Sequence, residues 1–235
     1  MQEYPDNETL ATIVRSNPAA AGVFEAIGLD YCCGGRRPLH LACEEAGVET
    51  VDVRRLLAKA PRSPDPDWMR MDPVALVNHI EATHHAFLRN ELRRLPELAR
   101  KVVAKHASAH PELVDVESLI EELRSDLLPH MDKEEVMLFP TIRGMVRDHA
   151  GMALDCMDLQ GPVSMMMMEH ERTGAILERL QEVTGGFAPP SNACMSYQVL
   201  YEGLALVEAD THLHIHKENN VLFPAVLMLE EEHPE

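Results

Sequence analysis

Aromatic residues are scarce in this chain of 235 residues, at 4%, although hydrophobic residues as a whole make up 46%. The core must therefore be built mainly from aliphatic side chains and methionine, which favours helices packed on helices over a β-sandwich. No stretch is apolar for the roughly 20 residues that a membrane-spanning helix needs, and the first residues lack the basic start and apolar run of a signal peptide. We therefore expect no membrane partner.

Basic residues are also few, since 21 lysines and arginines stand against 39 acidic residues and give a formal charge of −18. This charge repels phosphate backbones, so we expect no nucleic acid partner. The cysteines are odd in number and contain no Cys-x-x-Cys spacing; they are Cys32, Cys33, Cys43, Cys156 and Cys194. A disulfide framework is therefore not indicated, and we expect a cytoplasmic protein in a reducing compartment.

A phrase of eleven residues occurs twice in the second half of the chain. Residues 130–140 read HMDKEEVMLFP, and residues 214–224 read HIHKENNVLFP. Both copies share a histidine, a lysine, a glutamate and a closing Leu-Phe-Pro. In each copy the histidine and the glutamate are four residues apart, which places them on the same face of a helix.

The face that carries each His/Glu pair is otherwise apolar. In the first copy it continues through Leu123, Leu127 and Leu138, and in the second copy through Val207 and Leu222. A single pair with this spacing is usually a surface hydrogen bond. Burying a carboxylate is costly unless it is paired or binds a metal, so two such pairs in apolar faces indicate one shared metal site.

A proline-rich stretch divides the chain. Residues 1–60 form a small helical domain, with helical patterns at residues 8–27, 39–47 and 51–60. Residues 61–71 form a linker, because three prolines within six residues cannot continue a helix. Residues 72–235 contain four long amphipathic helices, which predicts an antiparallel four-helix bundle. The fold prediction is therefore all-α.

The starts of the four long helices follow from proline, glycine and capping residues. They are predicted near Pro73, Pro111, Gly161 and either Ser191 or Asn192. Pro129 lies inside the second of these helices, directly before the first histidine of the repeated phrase. Since proline removes a backbone hydrogen bond, we expect a local bend there.

Further metal ligands can be sought on the first and third long helices. The third offers His170, which is in step with the apolar Leu177. On the first helix His84 and His85 compete, and the apolar period does not separate them because Leu88 is in step with both. Glu169, next to His170, is either a surface residue or an outer support of the metal site.

The order His, His-x-x-x-Glu, His, His-x-x-x-Glu on four successive helices resembles a hemerythrin-like di-iron bundle. Three further motifs make the resemblance more specific. Residues 30–35 read DYCCGG, Asp67-Trp68 follows the linker, and residues 214–224 read HIHKENNVLFP. Together these motifs resemble the repair-of-iron-centres family (the YtfE/ScdA type) over nearly the whole chain. In that family the ligand of the first helix stands six residues after an earlier histidine, which here is His79, so the resemblance selects His85.

The resemblance therefore implies a hemerythrin-like bundle that holds two non-haem iron ions joined by an oxo bridge. The metal ligands that it implies are His85, His130, Glu134, His170, His214 and Glu218. Imidazole and carboxylate groups suit iron, and a carboxylate can bridge two metals. The chemistry of the residues thus agrees with the implied cofactor.

The resemblance also implies a function in the nitrosative and oxidative stress response. Such a protein helps repair damaged iron–sulfur clusters, by supplying iron or by reacting with nitric oxide. Its partners would be damaged iron–sulfur proteins, with nitric oxide or dioxygen as the small ligand. Two alternatives stay open: a protein that binds or senses nitric oxide or dioxygen without turnover, and an enzyme that reduces nitric oxide.

Cys32 and Cys33 precede two glycines and the pair Arg36-Arg37. Ordinary packing is one interpretation of these cysteines, since free cysteine is often buried. The other is a thiol site whose pKa is lowered by the neighbouring basic residues and which helps transfer iron. The local pattern favours neither, although a plain gas carrier has no evident need for two adjacent thiols.

His212 and His216 are also four residues apart, but the residues in step with them are mostly polar. These include Glu208, Asn219 and Asn220. We therefore expect His212 and His216 to be exposed to solvent and to lie outside the metal site, with only weak adventitious metal binding open to them.

Overall fold

The computed structural model describes residues 4–5, 7–60, 67–148 and 159–231. Within these ranges the chain is helical and has no strand, apart from one isolated bridge between Thr9 and Pro38. This confirms the all-α prediction. Most of the predicted linker and Cys156 lie outside the described residues.

The first part of the chain forms short helices, as the sequence predicts. They are α1 Leu10–Ser16, α2 Ala20–Ala26, α3 Leu39–Glu45 and α4 Thr50–Lys59. Helix α1 begins after Thr9, whose side-chain oxygen accepts a hydrogen bond from the backbone N–H of Thr12, a typical N-cap. It ends at Ser16, two residues before Pro18, which cannot continue it. The buried residues of these helices form their own apolar cluster, which includes Leu10, Phe24 and Leu39.

The rest of the chain forms four long helical stretches. Their segments are a 3-10 turn Asp67–Arg70, then α5 Pro73–Ile80, α6 Ala86–His106, α7 Leu113–Lys133, α8 Phe139–Asp148, α9 Gln160–Thr184, α10 Met195–Lys217 and α11 Phe223–Glu231. The predicted starts of the first three stretches are correct within two residues. The predicted cap of the fourth is wrong, because α10 begins at Met195 and the Cys194 carbonyl accepts from the N–H groups of Tyr197 and Gln198.

Three of the long stretches contain a π-helical turn. These turns are Glu81–His85 between α5 and α6, Glu134–Leu138 between α7 and α8, and Glu218–Leu222 between α10 and α11. Single π-turns within α-helices are rare and often occur at functional sites. Each of the three contains a histidine or a glutamate that the sequence proposes as a metal ligand.

The repeated Leu-Phe-Pro explains two of these turns. Proline has no N–H, and its ring collides with the carbonyl four residues earlier in a regular α-helix. Just before each proline the helix widens, so that the N–H of Phe139 bonds the carbonyl of Glu134 and the N–H of Phe223 bonds that of Glu218. Pro129 has no such turn at its own position, and α7 continues through it.

The chain divides into two compact units. One consists of residues 1–76 and 212–235, and the other of Val77–Thr211. The core of the second unit is mainly aliphatic, as the shortage of aromatic residues requires; its buried members include Leu88, Leu123, Ile176 and Leu204, together with two tyrosines, Tyr197 and Tyr201. No helix among the described residues has the length and apolar character to cross a membrane.

Candidate metal centre

The second unit gathers three histidines around one buried carboxylate. Glu134, the first residue of a π-turn, is completely buried. Its Oε2 lies 3.3 Å from the Nε2 of His85, and its Oε1 lies 3.2 Å from the Nε2 of His130 and 4.0 Å from the Nε2 of His170. At most 1% of any of these histidines is exposed. A metal ion bound among a buried carboxylate and three converging imidazoles would offset the cost of burying that charge.

The spacing of the imidazoles fits a shared metal ion. The Nε2 atoms of His130 and His170 are 3.0 Å apart. Imidazole nitrogen binds divalent transition metals at about 2.1 Å, so two such ligands at right angles lie about 3.0 Å apart. The ligand atoms of His130, Glu134 and His170 all lie within 4.8 Å of one another. This part of the site can therefore accept an ion without moving its side chains.

Outer carboxylates fix the direction of two of these rings. The Nδ1 of His85 lies 2.8 Å from Oε1 of Glu135, and the Nδ1 of His130 lies 2.9 Å from Oε2 of Glu169. A carboxylate that accepts the Nδ1 proton leaves Nε2 as the lone-pair donor and raises its basicity as a ligand. In both histidines it is Nε2 that faces Glu134.

Glu169 is therefore a support of the site and not a surface residue. Its side chain is 13% exposed and is held by both His130 and Lys133. Burial opposes ionisation of the carboxyl, but the hydrogen bonds from Lys133 and His130 lower its pKa below the usual value. Glu169 is thus an anion that can hold the proton on His130.

Sequence reasoning missed Glu135. Its carboxylate bonds His85 and also lies 3.1 Å from the guanidinium of Arg89, which reaches Asp132 at 2.7 Å. Its position directly after Glu134 was a hint that it lies near the site. The helical period of 3.6 residues, however, places Glu135 off the apolar face, so the sequence did not single it out. Only contact with a second helix identifies its role.

His84 and His85 have different surroundings. His84 is buried, but its Nδ1 lies 2.9 Å from Oδ1 of Asp210, and its ring packs edge-on against that of His79. The ring of His85 stacks on Phe139 with its Nε2 toward Glu134. The structure therefore brings His85, and not His84, to the buried carboxylate.

The first unit contains the second His/Glu pair. His214, near the end of α10, and Glu218, at the start of the next π-turn, are both completely buried. The Nε2 of His214 lies 3.1 Å from Oε1 of Glu218. The pair thus has the geometry of the His130/Glu134 pair, where the corresponding distance is 3.2 Å.

The expected exposure of His216 is wrong. His216 is completely buried, its ring lies 5.6 Å from that of Tyr31 and 6.1 Å from that of Trp68, and burial lowers its pKa to about 4. Its Nδ1 lies 3.3 Å from the carbonyl oxygen of Tyr31. His212 is half-buried and packs edge-on against Tyr31. The helix face that carries His212 and His216 is mostly polar in sequence, but residues far away in the chain cover it.

The cysteine segment packs against the same face. The side-chain amide of Asn220 donates to the carbonyl of Cys32 at 3.0 Å. Cys32 is buried and Cys33 is half-buried. Of the two interpretations of these cysteines, ordinary packing fits Cys32 better than a lowered thiol pKa: its hydrogen bond to Cys33, burial and the charge of Asp30 raise its pKa well above the usual value.

Comparison with known proteins gives two family matches. The hemerythrin HHE cation binding domain matches residues 76–226, a range that contains all six residues proposed as ligands. The ScdA_N domain of unknown function (DUF542) matches residues 6–60.

Whole proteins are similar over almost their full length. The iron-sulfur cluster repair protein ScdA of Staphylococcus haemolyticus is 31% identical, over 92% of this chain and 97% of its own. The iron-sulfur cluster repair protein YtfE of Escherichia coli O157:H7 is 32% identical, over 94% of this chain and 97% of its own. A probable iron-sulfur cluster repair protein of Haemophilus influenzae is 31% identical, over 94% and 96%.

Proposed function

Because this chain belongs to the family of hemerythrin-like iron–sulfur cluster repair proteins, we propose that it binds two non-haem iron ions and helps restore damaged iron–sulfur clusters. The observation that carries the proposal is the set of buried imidazoles around Glu134, two of them held by outer carboxylates. This donor set suits iron and provides the oriented histidines that a metal site requires.

The proposed ligands are the six residues that the resemblance implies. They are His85, His130, Glu134, His170, His214 and Glu218. A carboxylate that binds through both oxygens can join two metal ions, which is the part proposed for Glu134 and Glu218. An oxo bridge between the irons belongs to the same proposal.

The chain's own residues prepare the site for iron. Glu135 and Glu169 keep the Nδ1 protons of His85 and His130, so each ring presents its lone pair at Nε2. Complete burial of Glu134 keeps water from competing for the carboxylate. Bound iron would supply coordination positions for nitric oxide or dioxygen, or would itself be the material passed to a damaged cluster.

The proposed partners are damaged iron–sulfur proteins, and the proposed small ligand is nitric oxide or dioxygen. The protein would act in the cytoplasm as part of a stress response. A formal charge of −18 makes nucleic acid and anionic membranes unsuitable partners. Names of relatives support the repair function and do not distinguish iron supply from reaction with nitric oxide.

The test is reactivation of an iron–sulfur dehydratase that nitric oxide has inactivated. Protein purified without oxygen should contain about two irons per chain, as a bundle-core dinuclear site does, and should restore the dehydratase. The Glu134→Ala variant should lose both the iron and the reactivation, while His84→Asn should retain both. Reactivation by the iron-free variant would contradict the proposal.

The same assay separates the alternative functions. Consumption of nitric oxide with a reductant, without recovery of the dehydratase, would indicate a nitric oxide reductase. Reversible binding of nitric oxide or dioxygen, with neither consumption nor recovery, would indicate a gas-binding or sensing protein.

A further inference from the structure

We propose that Cys32, Cys33 and Asp30 form a second metal site, which holds one thiophilic divalent transition-metal ion between the two thiolates. The ligand atoms of these three residues all lie within 4.8 Å of one another. The choice of ferrous iron as the natural ion rests on the proposed function, but the site itself follows from the geometry of this turn.

The two sulfur atoms already have the spacing of a chelating pair. Their separation is 3.9 Å. Thiolate binds a tetrahedral metal ion at about 2.3 Å, so two thiolates on one ion lie about 3.8 Å apart. A disulfide would require a separation of about 2.05 Å. The resting turn is thus arranged as an open dithiol, close to the geometry that a metal ion needs.

Asp30 supports the turn and faces the position of the ion. Its Oδ1 accepts hydrogen bonds from the N–H groups of Cys32 and Cys33, at 3.0 and 2.9 Å, and its Oδ2 accepts from that of Gly34 at 2.7 Å. The thiol of Cys32 also donates to Oδ1, at 3.2 Å. A metal ion that binds Cys32 displaces this thiol proton, which leaves Oδ1 directed toward the ion.

The backbone of the turn fits its surroundings closely. A Cβ atom at Gly35 would lie 2.4 Å from the carbonyl oxygen of Tyr31 and 3.0 Å from Oδ1 of Asn220. A Cβ atom at Gly34 would lie 2.9 Å from both an oxygen of the Asp30 side chain and its backbone carbonyl. A side chain at Gly34 would therefore press on Asp30, and one at Gly35 would press on the Tyr31 carbonyl and on Asn220.

Charge and access agree with a divalent ion. Two thiolates and one carboxylate carry three negative charges, of which the ion cancels two. The guanidinium of Arg37, which also forms an ion pair with Glu45, lies 3.8 Å from Oδ2 of Asp30 and offsets part of the third. Cys32 is buried, but Cys33 is half-buried and Asp30 is exposed, so an ion can enter from that side. Thiolate ligands select zinc, iron and other thiophilic ions over magnesium or calcium.

Binding is an exchange of protons for metal, with no change of oxidation state. Each thiol gives its proton to solvent base, and each sulfur forms one bond to the ion. A neutral dithiol therefore releases about two protons for each ion bound.

The experiment uses the full chain, with its histidine/glutamate site first loaded with iron, and Co²⁺ as the probe. Cobalt bound to thiolate absorbs in the near ultraviolet by charge transfer from sulfur, whereas imidazole and carboxylate ligands give no such band. The wild type should develop the band and release about two protons per cobalt ion. Cys32→Ser and Cys33→Ser should each abolish the band. Removing a residue that only hydrogen-bonds to a metal ligand typically weakens metal affinity ~10–100-fold. Removing a sulfur that binds the ion directly should weaken the affinity by more than this.

Cys194→Ser is the matched control, because Cys194 is also a half-buried thiol and its Sγ lies 3.1 Å from Nε2 of His106. It should keep the band. Absence of the band in the folded wild type, or a band that survives both serine changes at the turn, would overturn the site. Iron content and dehydratase reactivation are separate measurements, so failure of the proposed function would leave this result intact.

Discussion

The two copies of the repeated phrase share a buried His/Glu pair but differ on the opposite face. In residues 130–140 and 214–224 alike, a buried histidine and a buried glutamate lie 3.1–3.2 Å apart, and a π-turn follows. Asp132 of the first copy corresponds to His216 of the second; its side chain is 64% exposed, whereas His216 is completely buried.

The other corresponding positions show the same contrast. Val136 is 74% exposed, whereas its counterpart Asn220 bonds the carbonyl of Cys32. Glu135 of the first copy supports His85, which belongs to the same unit. Both copies therefore keep the buried His/Glu pair, but their outer faces contact different partners. The outer face of the first copy orients another histidine, and that of the second copy holds the cysteine turn.

The largest expected effect tests the shared positions. Glu134→Ala and Glu218→Ala should each remove most of both irons, because a carboxylate that joins two ions contributes to both. We expect the affinity for iron to fall by more than the ~100-fold of an outer-shell change. Iron analysis and the visible spectrum of the iron centre measure the loss. Asp132→Ala, on the exposed face, should leave both unchanged; loss of a single iron in either glutamate variant would show that the carboxylate does not bridge.

The next effect concerns the supports of the first copy. Glu135→Gln and Glu169→Gln each remove the anion that holds an Nδ1 proton, and we expect ~10–100-fold weaker iron binding. Release of iron to a competing chelator measures the change. Glu121→Gln, an exposed ion-pair residue on α7, is the control. Equal release from all three variants would contradict a supporting role.

A smaller effect tests the outer face of the second copy. Asn220→Ala removes the donor to the Cys32 carbonyl and should lower the free energy of unfolding by about 1–3 kcal/mol. Val136→Ala, at the corresponding exposed position, should change it by no more than about 0.5 kcal/mol. Denaturant unfolding measures both. Hydrogen exchange at residues 30–37 should become faster in Asn220→Ala and stay unchanged in Val136→Ala. Equally faster exchange in Val136→Ala would contradict the difference between the outer faces of the two copies.

The apolar period of the sequence predicted the long helices and both His/Glu pairs, because burial of an aliphatic stripe repeats at the helical interval. It did not separate His84 from His85, since a π-turn adds a residue and shifts the register at that point. It assigned His216 to solvent because period analysis recognises only apolar neighbours. The partners of His216 are Tyr31 and Trp68, which lie far away in sequence.

The smallest effect concerns the lysine that both copies share. Lys133 forms an ion pair with Glu169, and its side chain is 42% exposed; such pairs contribute about 0–1 kcal/mol. Lys217 is 3% exposed, and its ammonium lies 5.3 Å from the centre of the Trp68 ring, a cation–π contact worth about 0.5–2 kcal/mol. Lys217→Gln should therefore cost more stability than Lys133→Gln.

Trp68 is the only tryptophan in the chain, so its fluorescence gives a direct readout of the environment around Lys217. The emission should shift in Lys217→Gln and stay constant in Lys133→Gln, because only the first change removes a cation from the indole. A shift of equal size in both variants would mean that the two lysines do not have the separate surroundings described for the two copies.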